Sequence, residues 1–365
     1  MSGLRLLLVS DAVGGVWIYS LELARALSPL GIETLLAITG PSPAGSQMEA
    51  AAGLRVIDTG LPLEWLDSDA DEIKRAGGEL ARIAEREGAN VVQTGSAAHL
   101  AGATFGCATV AVQHSCVATW WQAVKGTPLP KAFEWRRDLV GDGLARADAI
   151  VAPTIAFADA TERTYGLDRP VLPVHNGRSA RVMRALPQGD FVFTAARLWD
   201  EGKNVGTLDR AAARLDAPFQ AAGPTRGPHA ASVSLDYLVE LGELSETRMS
   251  GILAARPVYA SAALYEPFGL SVLEAAQAGC ALVLSDIPTH RELWDGVALF
   301  VDAHDDAGFA EAIADLIDDN SKRQHLGETA REHARRYSPE QMAAAMAQIY
   351  ARVTEPRPQL IAGAA

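Results

Sequence analysis

Short apolar runs alternate with stretches of helical spacing, and the alternation begins again after a polar break. No other feature constrains this chain as strongly. Leu4 to Val9 is the first run. It has few polar interruptions, which fits a strand buried on both faces of a parallel sheet. It runs into Asp11, passes Gly14–Gly15 and continues as VWIYSLELARALSPLG, whose apolar residues recur at helical spacing until Pro29 and Gly31. Strand, glycine-rich turn and helix open a Rossmann-like unit. Further strands are predicted at ETLLAITG, ANVVQTGS, ATVAVQHS, ADAIVAPT and RPVLPVHNG. Helices are predicted over 64–88, FEWRRDLVGDGLARA and AFADATERTYG. The result is one doubly wound, parallel-sheet α/β domain over residues 1–177.

Residues 178–190 are polar, carry Pro187 and Gly189, and read as a linker. The pattern then restarts. Strands are predicted at FVFTAAR, APFQAAGP, YLVELGEL, PVYASAAL, CALVLSD and VALFVD, and helices at VGTLDRAAARL, 307–319 and 320–337. This gives a second Rossmann-like domain over 178–338. Ser338 as N-cap and Pro339 at the first helical position open a last helix within 339–365. The tail after Glu355, with two prolines and small residues, is expected to fray. A length of 365 residues suits two domains. Two α/β halves without a short internal repeat imply a cleft between them.

Composition removes several functions. The net charge of −13 argues against a nucleic-acid partner. Cys107, Cys116 and Cys280 form no CxxC pair and no metal-ligand spacing, and read as reduced thiols of a cytoplasmic protein. LRLLLVSDA turns polar too soon for a signal peptide. No run reaches the ~18 apolar residues of a membrane span. Peripheral membrane contact stays open but is not favoured.

The chemistry gathers in YEPFGLSVLEAAQAG, Tyr265 to Gly279. A buried strand is expected before it, a helix over GLSVLEAAQA, and Gly279 as its stop. Glu266 then stands on the loop feeding the helix, and Glu274 on the helix itself. The amides of Phe268, Gly269 and Leu270 open the helix, where unpaired N–H groups and the helix dipole welcome an anion. Two carboxylates flanking such a cradle suit a sugar nucleotide, whose hydroxyls need acceptors and whose diphosphate needs donors. A helix with ordinary solvated acids reads the same way.

Other stretches add to this. Gly14 and Gly15 allow backbone amides to approach an anion, or make a tight turn only; the third glycine of a dinucleotide fingerprint is missing. His114 follows an apolar strand at its carboxyl end, where α/β sheets place ligands, and reads either as a ligand contact or as a satisfied histidine at a strand exit. His99 follows the preceding strand and reads as a satisfied core histidine. Arg197 and Lys203, in AARLWDEGKN, stand at a strand-to-helix corner; with Asp200 and Glu201 between them they form either a solvated loop or a diphosphate grip. In TWWQAVKGTPLPKAFEWRRDL, Trp120, Trp121, Phe133 and Trp135 interleave with Lys125, Lys131, Arg136 and Arg137. These rings stack on sugar faces or anchor an irregular loop. Arg178, after Asn176–Gly177, reads as part of a solvated turn or, less readily, as a cation near the cleft that touches an anionic donor or acceptor.

The run EPFGLSVLEAAQAGCALVLSDIPTHREL resembles the E-x7-E motif of retaining glycosyltransferases of family 4, which have the GT-B fold. The other motifs match that family over nearly the whole chain. The resemblance implies two Rossmann-like domains across a cleft, with the last helix crossing back onto the first domain. It implies transfer of a glycosyl group from a nucleotide-diphosphate sugar, UDP- or GDP-linked, to a hydroxyl of a glycan, glycolipid or small polyol. Retention at the anomeric carbon goes with it, and no metal and no further cofactor. Glu274 would hold the ribose; Glu266 and the Phe268–Leu270 amides would hold the donor sugar. Arg197 and Lys203 would stabilise the departing diphosphate, and His114 would contact the sugar near the reacting centre. Gly14 and Gly15 would face the donor phosphates. Asp11, Trp120 and Trp121 are placed on the acceptor side. Arg178–Ser179 departs from the Val-Asp usual after the family's Asn-Gly. A GT-B sugar-nucleotide epimerase, a catalytically silent partner subunit and a nicotinamide dehydrogenase remain as rivals.

Overall fold

The structure is a computed structural model and describes residues 3–66, 69–181 and 186–355. The tail beyond Glu355 and part of the predicted linker lie outside the described residues. The strands are β1 Leu4–Asp11, β2 Ile32–Thr39, β3 Arg55–Leu61, β4 Val91–Thr94, β5 Ala108–Val112, β6 Ala149–Ala152, β7 Leu172–Pro173, β8 Val192–Ala195, β9 Phe219–Ala222, β10 Val239–Glu240, β11 Val258–Ser261, β12 Ala281–Ser285 and β13 Leu299–Val301. They form a seven-stranded sheet, β3-β2-β1-β4-β5-β6-β7, and a six-stranded sheet, β10-β9-β8-β11-β12-β13. The pairs around β1, β4, β5, β8, β11 and β12 are parallel. The helices are α1 Gly15–Leu27, α2 Gly45–Ala50, α3 Ala70–Glu87, α4 Val117–Val124, α5 Lys131–Arg146, α6 Ile155–Tyr165, α7 Val205–Ala212, α8 Glu246–Ala254, α9 Leu270–Ala278, α10 Pro288–Trp294, α11 Asp306–Asp318, α12 Asn320–Ala334 and α13 Pro339–Thr354.

The chain divides into two compact units. One comprises Met1–Gln113, Asp138–Val151 and Ala343–Ala365; the other comprises His114–Arg137 and Ala152–Met342. In the first unit successive residues of β1 are buried from Leu6 onward, so both its faces lie in the interior, and β2 and β4 pair with its two edges. Tyr350 of α13 donates to the Gln93 amide oxygen on β4, and Gln93 donates to Tyr19 Oη at 3.2 Å. These buried polar groups satisfy one another. In the second unit successive strand residues feed opposite cores, as the two-residue period of a strand requires. Phe193 and Tyr259 join Phe268, Val272, Leu273, Trp294 and Tyr337 on one face. Val192 and Val258 join Leu208, Phe219, Val283, Phe309 and Ile313 on the other.

The helix ends follow side-chain chemistry. Asp69, Thr154, Ser245, Asp305 and Asp319 each accept a backbone N–H at a helix start. Gly88, Gly166 and Gly279 close α3, α6 and α9 in the left-handed conformation. The predicted start of α3 at residue 64 is corrected to Ala70. Glu64 is buried and accepts from Ser96 Oγ at 2.5 Å, which keeps the chain before α3 in a loop. The sequence reading missed β3, an edge strand whose alternating, half-exposed pattern never forms an apolar run. It also missed the short helices α2, α4, α8 and α10.

Candidate active site

The site is built around the start of α9. β11 delivers the chain into a loop that ends at Gly269, the N-cap, with φ 88°. Only glycine takes that conformation without strain. The Phe268 ring is buried and packs edge-on against Tyr337, with centroids 5.7 Å apart. Burying it stabilises the loop by roughly 2–3 kcal/mol, so the side chain anchors while the backbone stays available. Among the described residues the amides of Phe268, Gly269 and Leu270 have no acceptor. Thr154 Oγ1 donates to Pro267 O at 3.1 Å, and Tyr265 Oη pairs with Thr119 Oγ1 at 2.8 Å. Burial keeps the Tyr265 hydroxyl protonated well beyond its usual range.

The cationic corner lies against this loop. After β8 the chain passes Arg197 and makes a 3-10 turn over Glu201–Lys203. Gly202 O accepts from the amides of Leu264 and Tyr265, at 2.9 and 3.1 Å. Asn204 holds the far side in a left-handed conformation (φ 50°), donating to Ala262 O and Ala303 O at 2.9 and 2.6 Å. Corner and loop are thus one rigid body, and Lys203 Nζ reaches Glu266 Oε2 at 2.7 Å. Both side chains are mostly covered, at 16% and 13% exposure. Arg197 pairs with Asp200 Oδ2 at 3.0 Å and lies over the Trp199 ring. Asp200 Oδ1 also accepts from Gly202 N at 2.9 Å and from Trp120 Nε1 at 3.0 Å. Trp120 therefore packs on the cationic corner: a Cβ on Gly202 would lie 2.8 Å from its indole nitrogen. Trp121 instead bonds Thr127 Oγ1 and packs on Phe133.

Glu274 lies on α9 and meets a partner that the sequence reading placed in solvent. Arg178 is buried, and its Nε donates to Glu274 Oε1 at 2.8 Å. The solvated turn at Arg178 is therefore a correction. Gly177 is pressed against Ser338, and the Arg178 amide donates to Tyr337 O, so the backbone turns the side chain inward.

His114 leaves β5 partly exposed, and burial of its ring pulls its pKa down to about 4, so it is neutral at pH 7. Two residues on, the Cys116 amide donates to Tyr265 Oη at 3.4 Å. His99 is fully buried, with Nε2 2.9 Å from Pro62 O. Asp11, Gly14 and Gly15 belong to the first unit. Asp11 Oδ1 accepts from Val13 N at 2.7 Å, and Gly14, at φ 65°, precedes α1. The second unit thus gathers Arg197, Lys203, Glu266, Glu274, Trp120 and the α9 amides. No group of three His, Cys, Asp or Glu side chains arranged to hold a metal occurs among the described residues. Asp200, Tyr265, Thr119 and Arg178 were missed as site residues. The Asp200 side chain capping the 3-10 turn was a readable signal; the others act through partners far away in sequence.

A cavity of about 880 Å³ opens in the first unit near Asn90, Cys107 and Asp148. It lies at the amino ends of β1, β4 and β5, the edge of a parallel sheet opposite to where ligands bind.

The family of glycosyl transferases group 1 matches residues 236–333, and Glycosyltransferase Family 4 matches residues 13–180. The chain is 26% identical to the D-inositol 3-phosphate glycosyltransferase of Xylanimonas cellulosilytica, over 94% of this chain and 93% of that one. It superimposes on sucrose-phosphate synthase from Thermosynechococcus elongatus with a TM-score of 0.76 at 17% identity, covering 96% of this chain and 99% of that one. Anabaena Alr3699/HepE in complex with UDP and glucose gives 0.75 at 14%, covering 95% and 99%. Two parallel α/β units of this kind define the GT-B fold, and the family models and relatives support an enzyme that transfers a sugar. The family models and the inositol 3-phosphate glycosyltransferase relatives support a glycosyltransferase of family 4.

Proposed function

We propose that this enzyme moves a glycosyl group from a nucleotide-diphosphate sugar to a hydroxyl, with retention and without a metal or further cofactor. The observation that carries the reading is the Lys203–Glu266 pair beside the unsatisfied amides of α9. A carboxylate there accepts from sugar hydroxyls, the amides donate to an anionic oxygen, and the ammonium neutralises charge as it grows on the leaving diphosphate. Arg197, oriented by Asp200, adds a fork for phosphate oxygens. Cations in these positions supply the charge stabilisation that a metal supplies elsewhere. Glu274 takes the ribose. His114, neutral at the working pH, accepts or donates one hydrogen bond to the sugar and carries no charge to the anomeric carbon. In the retaining step the glycosyl–oxygen bond to the diphosphate breaks as the acceptor oxygen bonds the same face. The acceptor's proton passes to the departing phosphate oxygen. The HepE structure holds UDP and glucose, which supports a UDP-type donor. The name of the Xylanimonas relative supports a small phosphorylated polyol as acceptor.

The test is thermal unfolding with UDP, GDP, ADP and TDP, on wild type and on Lys203→Ala. Ligand that binds only the folded state raises its stability by mass action, by ~2.7 kcal/mol at one hundred times Kd. One diphosphate should stabilise the wild type, and the variant should lose most of that shift. No shift with any diphosphate at saturation overturns the donor reading. The anomeric configuration of the product, read by NMR, tests retention separately.

A further inference from the structure

Among the described residues Arg178 is the one buried cation in contact with the carboxylate assigned to the ribose, and the function proposed above gives it no part. Its backbone is fixed on both sides. The amide donates to Tyr337 O at 3.1 Å, and the carbonyl accepts from Gln277 Nε2 at 2.7 Å, one helical turn after Glu274 on α9. Gly177 has Ser338 O within 2.2 Å of where a Cβ would stand, so the chain cannot shift here. From this anchor Nε donates to Glu274 Oε1 at 2.8 Å. Nη2 lies 3.3 Å from Glu246 Oε1, at the start of α8. Glu246 is largely exposed, so that second contact is weak, while the first is covered on both partners, at 9% and 18% exposure. Glu274 Oε2 accepts no hydrogen bond among the described residues.

We propose that Arg178 is a positioning residue of the donor's ribose site: its guanidinium fixes Oε1 of Glu274 and leaves Oε2 to accept from a ribose hydroxyl of a nucleoside diphosphate. This rests on the reading of Glu274 as the ribose carboxylate. A free glutamate on a helix samples several rotamers, and ordering it on ligand binding costs side-chain entropy. Arg178 removes that cost in advance.

Calorimetric titration of UDP, GDP and ADP, each in ribose, 2′-deoxy and 3′-deoxy form, tests this on wild type, Arg178→Met and Arg178→Lys. Wild type should bind the ribose form of one base about ten-fold tighter than at least one deoxy form, the size of a hydrogen bond to a charged acceptor. Arg178→Met should bring the ribose form down to the deoxy level and leave deoxy affinity within about two-fold. Arg178→Lys keeps the charge but not the fork, and its ribose preference should fall between the two. If Arg178→Met does not fold, a lysine variant with the full wild-type preference overturns the proposal. A preference that survives in the methionine variant, or an equal weakening of every form, overturns it while the donor site stands. A wild type that binds ribose and deoxy forms equally overturns it as well. A wild type that binds no diphosphate removes the donor site and this proposal together.

Discussion

Lys203 and Glu266 form a pair that is mostly covered but not sealed, and their value divides between stability and chemistry. Removing one partner leaves the other charge with little water and no counter-ion, which costs more than the intact pair contributes. Glu266→Gln is therefore expected to lower stability by about 1–3 kcal/mol in urea unfolding, below the cost of a fully buried break. The double variant Lys203→Met/Glu266→Gln should regain most of that loss. Transfer should not return: loss of a group stabilising transition-state charge costs about 10²–10³ in kcat, and the double variant should stay at that level. A double variant that recovers activity as well as stability would show the pair to be structural. The two glutamates were legible because motif and spacing are local. Their partners were not. Arg178 lies 96 positions from Glu274, and Trp120 lies 80 from Asp200, distances over which periodicity carries no pairing information.

The helix that presents the site depends on how closely its neighbour approaches. A Cβ on Gly327 of α12 would lie 2.2 Å from Gly279 O, at the close of α9. Gly327→Ala must push α12 off that carbonyl, and overpacking of this sort costs about 1–3 kcal/mol or more. Because α9 carries Glu274 and the amides, nucleotide affinity should fall with it. Gly251, on the exposed side of α8, has nothing within 4 Å of its missing Cβ. Gly251→Ala should stabilise by about 0.5–1 kcal/mol through helix propensity alone. Opposite signs in the same unfolding assay check the contrast. Elements that stand alone in the sequence were readable: α9 stops at Gly279, and α13 starts at Pro339 behind the Ser338 cap. The edge strand β3 and the short helices α4, α8 and α10 were not. Each takes its conformation from what it packs on rather than from its own pattern.

At the scale of the molecule, burial sets the acid limit of stability. His99, His114, His290 and His333 all have pKa values held below 6.5, chiefly because their surroundings exclude water from the charged ring. Each ring therefore binds its proton less tightly in the folded chain than in the unfolded one. Their contribution is complete above about pH 6.5 and is lost as the pH falls through the window between the unfolded and folded values. Urea unfolding from pH 7.5 to 5 should show stability declining on the acid side. His114→Gln should reduce that slope by up to ~1.4 kcal/mol per pH unit, one proton's share. A slope unchanged in the variant would mean that His114 is not the cold ring its burial implies. Two parallel sheets were legible from the runs of apolar residues, because strands covered on both faces have nowhere to place a polar side chain.

The site's cations are already matched: Arg178, Arg197 and Lys203 face Glu274, Glu246, Asp200 and Glu266. On the proposed reading a dianionic donor would thus meet no positive field at long range, and the molecule as a whole carries −13. Its capture would then be a local exchange of counter-ions rather than an electrostatically steered collision. Added salt, by screening the repulsion beyond its Debye length of about 8 Å at physiological ionic strength, should then hasten the encounter instead of slowing it.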